Sequence, residues 1–132
     1  MAVIPGLFGR AEEIVTEDKT AIAVGSGSLP VYGTPCMIAL MEKAACKALS
    51  AHLEDGMTSV GTELDVKHTA ATPVGMRVWA EVSLASTSAN GRELTFLVEA
   101  FDESGSIGIG THKRFLVNAE KFTAKCYAKK QG

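Results

Sequence analysis

The chain reads as an α+β protein in which one long hydrophobic helix is set against a meander of antiparallel strands. Three observations predict it. Residues 34–50 carry apolar side chains at helical spacing, the chain beyond Val60 changes to alternation of period two, and short turn signals separate the alternating runs. At 132 residues and 46% hydrophobic content the chain can bury a real core, and one domain spanning residues 1–132 is expected.

Residues 12–24 hold two β-like runs, Glu13-Ile14-Val15-Thr16 and Ala21-Ile22-Ala23-Val24, on either side of a polar turn at Asp18-Lys19. Gly25-Ser26-Gly27-Ser28 then forms a flexible loop leading through Leu29-Pro30-Val31-Tyr32 into the helix. The loop lacks the lysine of a phosphate-binding P-loop and follows no βαβ pattern, so it reads as a plain connection. At the helix start, Thr34 is placed to cap the first turn with its hydroxyl, and Pro35 fits the first helical position, where a missing N–H costs nothing. At about 100° per residue, Lys43, Lys47, Ser50 and Glu54 fall on one narrow wet stripe.

In the next element Val60, Thr62, Leu64, Val66 and His68 share one face, with Gly61, Glu63, Asp65 and Lys67 on the other. His68 thus closes an inward-facing apolar row. After a turn at Thr72-Pro73-Val74-Gly75, Val78, Ala80, Val82 and Leu84 alternate with Arg77, Trp79, Glu81 and Ser83. Asn90-Gly91 signals a hairpin into a third strand with Leu94, Phe96, Val98 and Ala100 on one side. Asp102-Glu103-Ser104-Gly105 turns into a fourth strand over residues 107–117, and the tail reads as a short basic helix with Asn118 as cap and Phe122 as apolar anchor. A helix this greasy is buried only if the sheet curls around it, which is the hotdog fold: an antiparallel sheet wrapped around one long central helix. Such a sheet leaves open edges in a monomer, so pairing into a homodimer is expected.

Charge and cysteine content narrow the function. A net charge of −2 argues against a general nucleic-acid binder. The three cysteines are an odd number, and Cys36 and Cys46 lie roughly 15 Å apart along the helix, too far to bridge. With no Cys-x-x-Cys spacing they read as small packing residues of a reducing, cytoplasmic protein rather than metal ligands, and Cys46 lies one turn from Glu42. No basic start followed by a long apolar run is visible, so neither secretion nor a membrane span is expected.

Glu42 is the only acid of the helix, and it lies off the wet stripe. Its neighbours three and four positions away are Ile38, Ala39, Ala45 and Cys46, so no lysine pairs with it along the helix. A carboxylate so placed is buried for a purpose or is met by a group elsewhere in the fold.

Three separated motifs carry a family resemblance. They are Thr34 with Met37-Ile38-Ala39-Leu40-Met41-Glu42, then Gly61-Thr62 leading to His68-Thr69-Ala70-Ala71-Thr72-Pro73, and Gly110-Thr111-His112-Lys113-Arg114 followed by Glu120-Lys121-Phe122. In order and spacing they resemble the hotdog thioesterases of the fluoroacetyl-CoA thioesterase type, over residues 30–125. The resemblance implies that Thr34, Glu42 and His68 are catalytic, that the backbone N–H of Gly61 lies beside the acyl group, and that Arg114 is near the substrate. It also implies hydrolysis of acyl-CoA at a dimer interface, with no metal and no cofactor beyond the coenzyme A of the substrate. The family's namesake gates its pocket with phenylalanines before the helix; here only Leu29 is placed to take one of those positions.

The chemistry agrees with those residue types. Thioester hydrolysis needs an activated nucleophile, a home for charge on the carbonyl oxygen and a proton for the thiol. A glutamate in apolar surroundings has its pKa raised toward the range of a useful base, either activating water or attacking the thioester itself. His68 would protonate the sulfur or orient the water, and Thr34 would bond Glu42 or the substrate carbonyl. Lys67, Arg77, Lys113, Arg114 and the tail residues Lys121, Lys125, Lys129 and Lys130 are candidates for the ligand's phosphates. His52 and His112 lack comparable support. The alternatives are a hotdog hydratase or dehydratase, and a non-catalytic dimer that binds an acyl thioester or small acid.

Overall fold

The computed structural model describes residues 2–132. Strand β1 (Phe8–Ile14) leads through a 3₁₀ turn at Glu17–Lys19 and the one-turn helix α1 (Ala21–Val24) to the long helix α2 (Thr34–Leu49). Strands β2 (Met57–His68), β3 (Arg77–Thr87), β4 (Glu93–Asp102) and β5 (Gly105–Asn118) follow, and helix α3 (Ala119–Tyr127) closes the chain. The five strands form one antiparallel sheet in the order β1-β3-β4-β5-β2. This is the hotdog arrangement, with α2 held against the inner face of the sheet.

The core is the one the alternation predicts. Met37, Leu40, Met41, Ala44, Ala45, Ala48 and Leu49 of α2 are buried against Val78, Ala80, Val82 and Leu84 of β3 and Leu94, Phe96, Val98 and Ala100 of β4. The alanines on α2 let β1 approach closely. A side chain at Gly9 would strike the Ala44 carbonyl and lie 2.8 Å from Ala48 N and 2.9 Å from Ala48 Cβ. Close contact of helix and strand therefore depends on a missing methyl.

Several expectations are corrected. The run Ala21-Ile22-Ala23-Val24 is helical, because Thr20 Oγ1 accepts from Ala23 N at 3.2 Å and Gly25 ends the turn in the left-handed conformation, φ 76°. The first strand begins earlier than its apolar run, at Phe8, and ends at Ile14. Gly33, not Thr34, is the N-cap of α2, so Thr34 takes the first helical position and Pro35 the second rather than the first. The hairpin at Asn90-Gly91 forms, but Asn90 keeps a negative φ and only Gly91 turns left-handed, so the loop is longer than a two-residue turn. Asn118 caps α3 by accepting from Lys121 N at 3.0 Å, yet Phe122 is 46% exposed and is not part of the hydrophobic core.

The correction that matters most lies in β2. The register against β5 slips between Gly61 and Glu63, leaving Thr62 out of the ladder. A bulge of one residue reverses the facing of everything before it. Leu64, Val66 and His68 turn inward as predicted, but ahead of the bulge Ser59 and Gly61 face α2, while Val60 and Thr62 face away. β2 is an edge strand, so its outer side pairs with no other strand among the described residues.

Gly9→Val is expected to destabilise the fold by about 2–3 kcal/mol in chemical denaturation, the typical cost of overpacking a tight contact. A loss below measurement error would contradict the close packing of β1 on α2.

Candidate functional site

Two groups of side chains form along α2, one near its start and one at its middle. At the start, Tyr32 is buried and its hydroxyl donates to Glu13 Oε2 at 2.6 Å, while Gly33 N donates to the Lys19 carbonyl at 2.9 Å. These contacts fix the chain as it enters the helix. Thr34, the first helical residue, thereby turns its hydroxyl toward the end of β2, where Thr34 Oγ1 lies 2.7 Å from His68 Nδ1. The threonine read as a cap therefore bonds an imidazole instead. The other ring nitrogen, His68 Nε2, is buried and has no hydrogen-bond partner among the described residues. Burial lowers the His68 pKa from the usual histidine value, against a backbone hydrogen bond with Ala70 that raises it. A cavity of about 250 Å³ opens beside this pair, lined by Tyr32, Thr34, His68, Ala70 and Ala71.

The second group surrounds Glu42. A Cβ on Gly61 would collide with Glu42 Oε2 and would lie 3.2 Å from His112 Cε1 and 3.3 Å from Arg114 Nη1. The glycine thus leaves the space that the carboxylate occupies. Arg114 is the group elsewhere in the fold that meets Glu42: Nη1 lies 3.5 Å from Oε2. Its guanidinium is only 6% exposed, whereas the Glu42 side chain is 38% exposed, so the acid is less sheltered within one chain than its helical position implies. The other donors of Arg114 go to Ser59, from Nε to Oγ at 2.8 Å and from Nη2 to the carbonyl at 3.1 Å. The arginine faces Glu42 from the interior, with its side chain almost wholly buried.

His112 is the residue that sequence reasoning missed. It is fully buried, 3.1 Å from Arg114 Nη1 through Nε2 and 2.9 Å from the Glu63 carbonyl through Nδ1. Burial pushes its pKa down, with the Arg114 charge acting the same way against the Glu63 carbonyl and Glu42. The available signal was its place two residues before Arg114 on a strand, which puts both on one face.

The two groups do not touch. Among the described residues no hydrogen bond joins Glu42 to Thr34 or His68. Gly61 and His68 are separated by roughly 20 Å of strand at about 3.3 Å per residue. Leu29 is 63% exposed and does not line the cavity beside His68. Lys67, Arg77 and Lys113 alternate with inward residues and so stand on the sheet face away from α2, where Arg77 lies 4.7 Å over the Trp79 ring. Cys46 is exposed on α2, Cys126 is exposed on α3 and Cys36 is half-buried; all three are free.

Comparison with known proteins decides the family. The family described as fluoroacetyl-CoA-specific thioesterase matches residues 15–120. The chain belongs to this family. As a fluoroacetyl-CoA-thioesterase-family member it is a thioester hydrolase. It is 44% identical over 95 residues to the fluoroacetyl-CoA thioesterase of Streptantibioticus cattleyicolor, covering 72% of this chain and 67% of the relative. A solved structure of a fluoroacetyl-CoA thioesterase superposes with a TM-score of 0.90 at 35% identity, covering 98% of each chain. A variant of that thioesterase, solved with fluoroacetate and CoA, matches at TM-score 0.83 and 36% identity over 91% of this chain and 99% of that one. A thioesterase superfamily member from Thermus thermophilus matches at 0.89 and 30% identity, over 99% and 96%.

Half-buried His68 and buried His112 both have native pKa values below that of the unfolded chain, near 6.5. Their neutral forms stabilise this family member fully above that value, and the contribution is lost as pH falls toward the folded-state values. Denaturation midpoints are expected to drop on acidification from about pH 6.5 to 5, and to drop less in His112→Gln. Equal slopes in the two proteins would contradict a buried neutral His112.

Proposed function

We propose that the protein hydrolyses a short-chain acyl-CoA, at a site where Glu42 of one chain meets the Thr34–His68 pair of a second copy across paired β2 edges. The observation that carries this reading is the orphaned His68 Nε2: a buried polar atom without a partner is costly unless something outside the chain completes it. Glu42, partly open above Gly61, is the matching group. Antiparallel pairing of β2 with its copy about an axis at Asp65 keeps inward residues opposite inward residues and, with Thr62 bulged out, sets Gly61 opposite the partner's His68. The open edge then gains hydrogen bonds, and the homodimer owes its two sites to that pairing.

In this site Glu42 takes a proton from water as the water oxygen attacks the thioester carbonyl carbon. The Gly61 N–H and the His68 Nε2–H are the donors for the developing oxyanion. When the Thr34 hydroxyl donates to Nδ1, the ring proton stands on Nε2, where the substrate is. The carbon–sulfur bond then breaks, and the thiolate takes back the proton from Glu42, giving the acid and the free thiol of coenzyme A. The residues named perform every step, so the chemistry calls on no metal or further cofactor. The cavity beside His68, about 250 Å³ and open to solvent, has room for a short acyl chain. The relative solved with fluoroacetate and CoA supports the carrier. An acyl-CoA substrate and three free cysteines fit a cytoplasmic setting. No described helix is long and apolar enough to cross a membrane.

Glu42→Gln is expected to remain folded and to lose about 10²–10⁴ in kcat toward short acyl-CoA esters, measured as released thiol. Unchanged turnover would remove Glu42 from the reaction. An enoyl-CoA that is hydrated while no ester releases thiol would replace hydrolysis with hydration.

A further inference from the structure

We infer that His112 is a positioning residue of this reaction, holding Arg114 so that its charge reaches one oxygen of Glu42 and no other; the inference rests on the role given to Glu42 above. Both ring nitrogens of His112 are engaged within a fully buried site. The Glu63 carbonyl only accepts, so Nδ1 must donate, at 2.9 Å. The guanidinium only donates, so Nε2 must accept from Arg114 Nη1, at 3.1 Å. One form satisfies both, the neutral ring with its proton on Nδ1. An imidazolium would aim a second donor at a cation.

The ring is fixed from several directions. Phe96 of β4 stacks on it at 6.3 Å with 28° between planes, and Gly61 of β2 leaves the room its Cε1 edge occupies. The charged groups facing it are Arg114 from its own strand and Glu42 from α2. The carbonyl it holds belongs to Glu63, the residue just after the Thr62 bulge, so the same ring ties down the irregularity that turns Gly61 toward Glu42.

What this achieves is direction. Arg114 has neutral acceptors on two sides, Ser59 and His112, and these hold the plane of the guanidinium. The remaining reach of Nη1, 3.5 Å, falls on Glu42 Oε2. Oε1 is left for the proton of the attacking water. Without an acceptor at position 112 the guanidinium is free to tilt and take both carboxylate oxygens, the preferred bidentate geometry of such pairs. Glu42 would then remain in place as a poorer base. This predicts a loss in kcat that binding does not share.

The test compares His112→Met, similar in length but with no good acceptor, with His112→Gln, whose amide N–H can donate to Glu63 and whose carbonyl can accept from Arg114. On a short acyl-CoA ester the Met variant is expected to lose about 10–100-fold in kcat with KM changed less than about threefold, and the Gln variant to recover most of that loss. In a Glu42→Gln background the Met change should cost nothing further, because the group it serves is gone. A Met variant with full kcat beside an inactive Glu42→Gln protein would overturn the role of His112 and leave that of Glu42 standing. Full activity of Glu42→Gln itself would overturn the reading beneath it. Equal damage in the Met and Gln variants would reduce His112 to packing. Should the Met variant not fold, nitrogen-15 NMR of the wild-type ring decides: a neutral ring protonated on Nδ1 supports the assignment, and a proton on Nε2 at neutral pH overturns it.

Discussion

A one-residue slip in the pairing of β2 with β5 governs the site. By leaving Thr62 out of the ladder, the strand presents Ser59 and Gly61 to the helix on one side of the bulge and Leu64, Val66 and His68 on the other. Regular alternation from Val60 would have turned Gly61 outward and set a branched side chain against Glu42. The carboxylate occupies the space where a Cβ at position 61 would stand, so helix and strand can carry this acid only because of the bulge and the glycine together.

The charge balance follows from the same geometry. Arg114 is almost wholly buried, and a buried guanidinium is tolerable only when its donors are met. Ser59 meets two of them, His112 a third, and Glu42 supplies the opposite charge. Since Glu42 is more than a third exposed, solvent screens that contact, and the ion pair is better understood as orienting the carboxylate than as a source of stability. At the far end of β2 the opposite situation holds. Thr34 satisfies one nitrogen of His68 and the other is left buried and unmet. Helix α2 thus carries an acid with an open oxygen and strand β2 an imidazole with an open nitrogen, with no hydrogen bond joining the two among the described residues.

Much of this was legible from residues alone. The buried rows of β3 and β4 and the extent of α2 follow from periodicity, because side chains on those elements have one dry face and one wet face. Thr34, Glu42 and His68 stood out as polar groups on apolar faces or within spaced motifs. What periodicity could not reveal was the bulge, since Val60 and Thr62 extend an unbroken alternation on paper and nothing local marks the slip. Ala21-Ile22-Ala23-Val24 is too short for its pattern to separate strand from helix, and the capping chemistry of Thr20 and Gly25 decided it. His112 was hidden because its sequence neighbours, Thr111 and Lys113, lie on the opposite face of the strand. Its real partner, Arg114, is two residues on, and the Glu63 carbonyl comes from another strand.

The central claim is that a working site needs Glu42 from one chain and His68 from another, and subunit complementation tests it most directly. Glu42→Gln and His68→Ala proteins, each inactive alone, would be mixed under conditions of subunit exchange and assayed for acyl-CoA hydrolysis. In a mixed dimer of the proposed kind one site carries both changes and the other carries neither, so random exchange should restore roughly a quarter of wild-type activity. Demonstrated exchange with no recovery of hydrolysis would mean that the two residues do not meet across the subunit boundary.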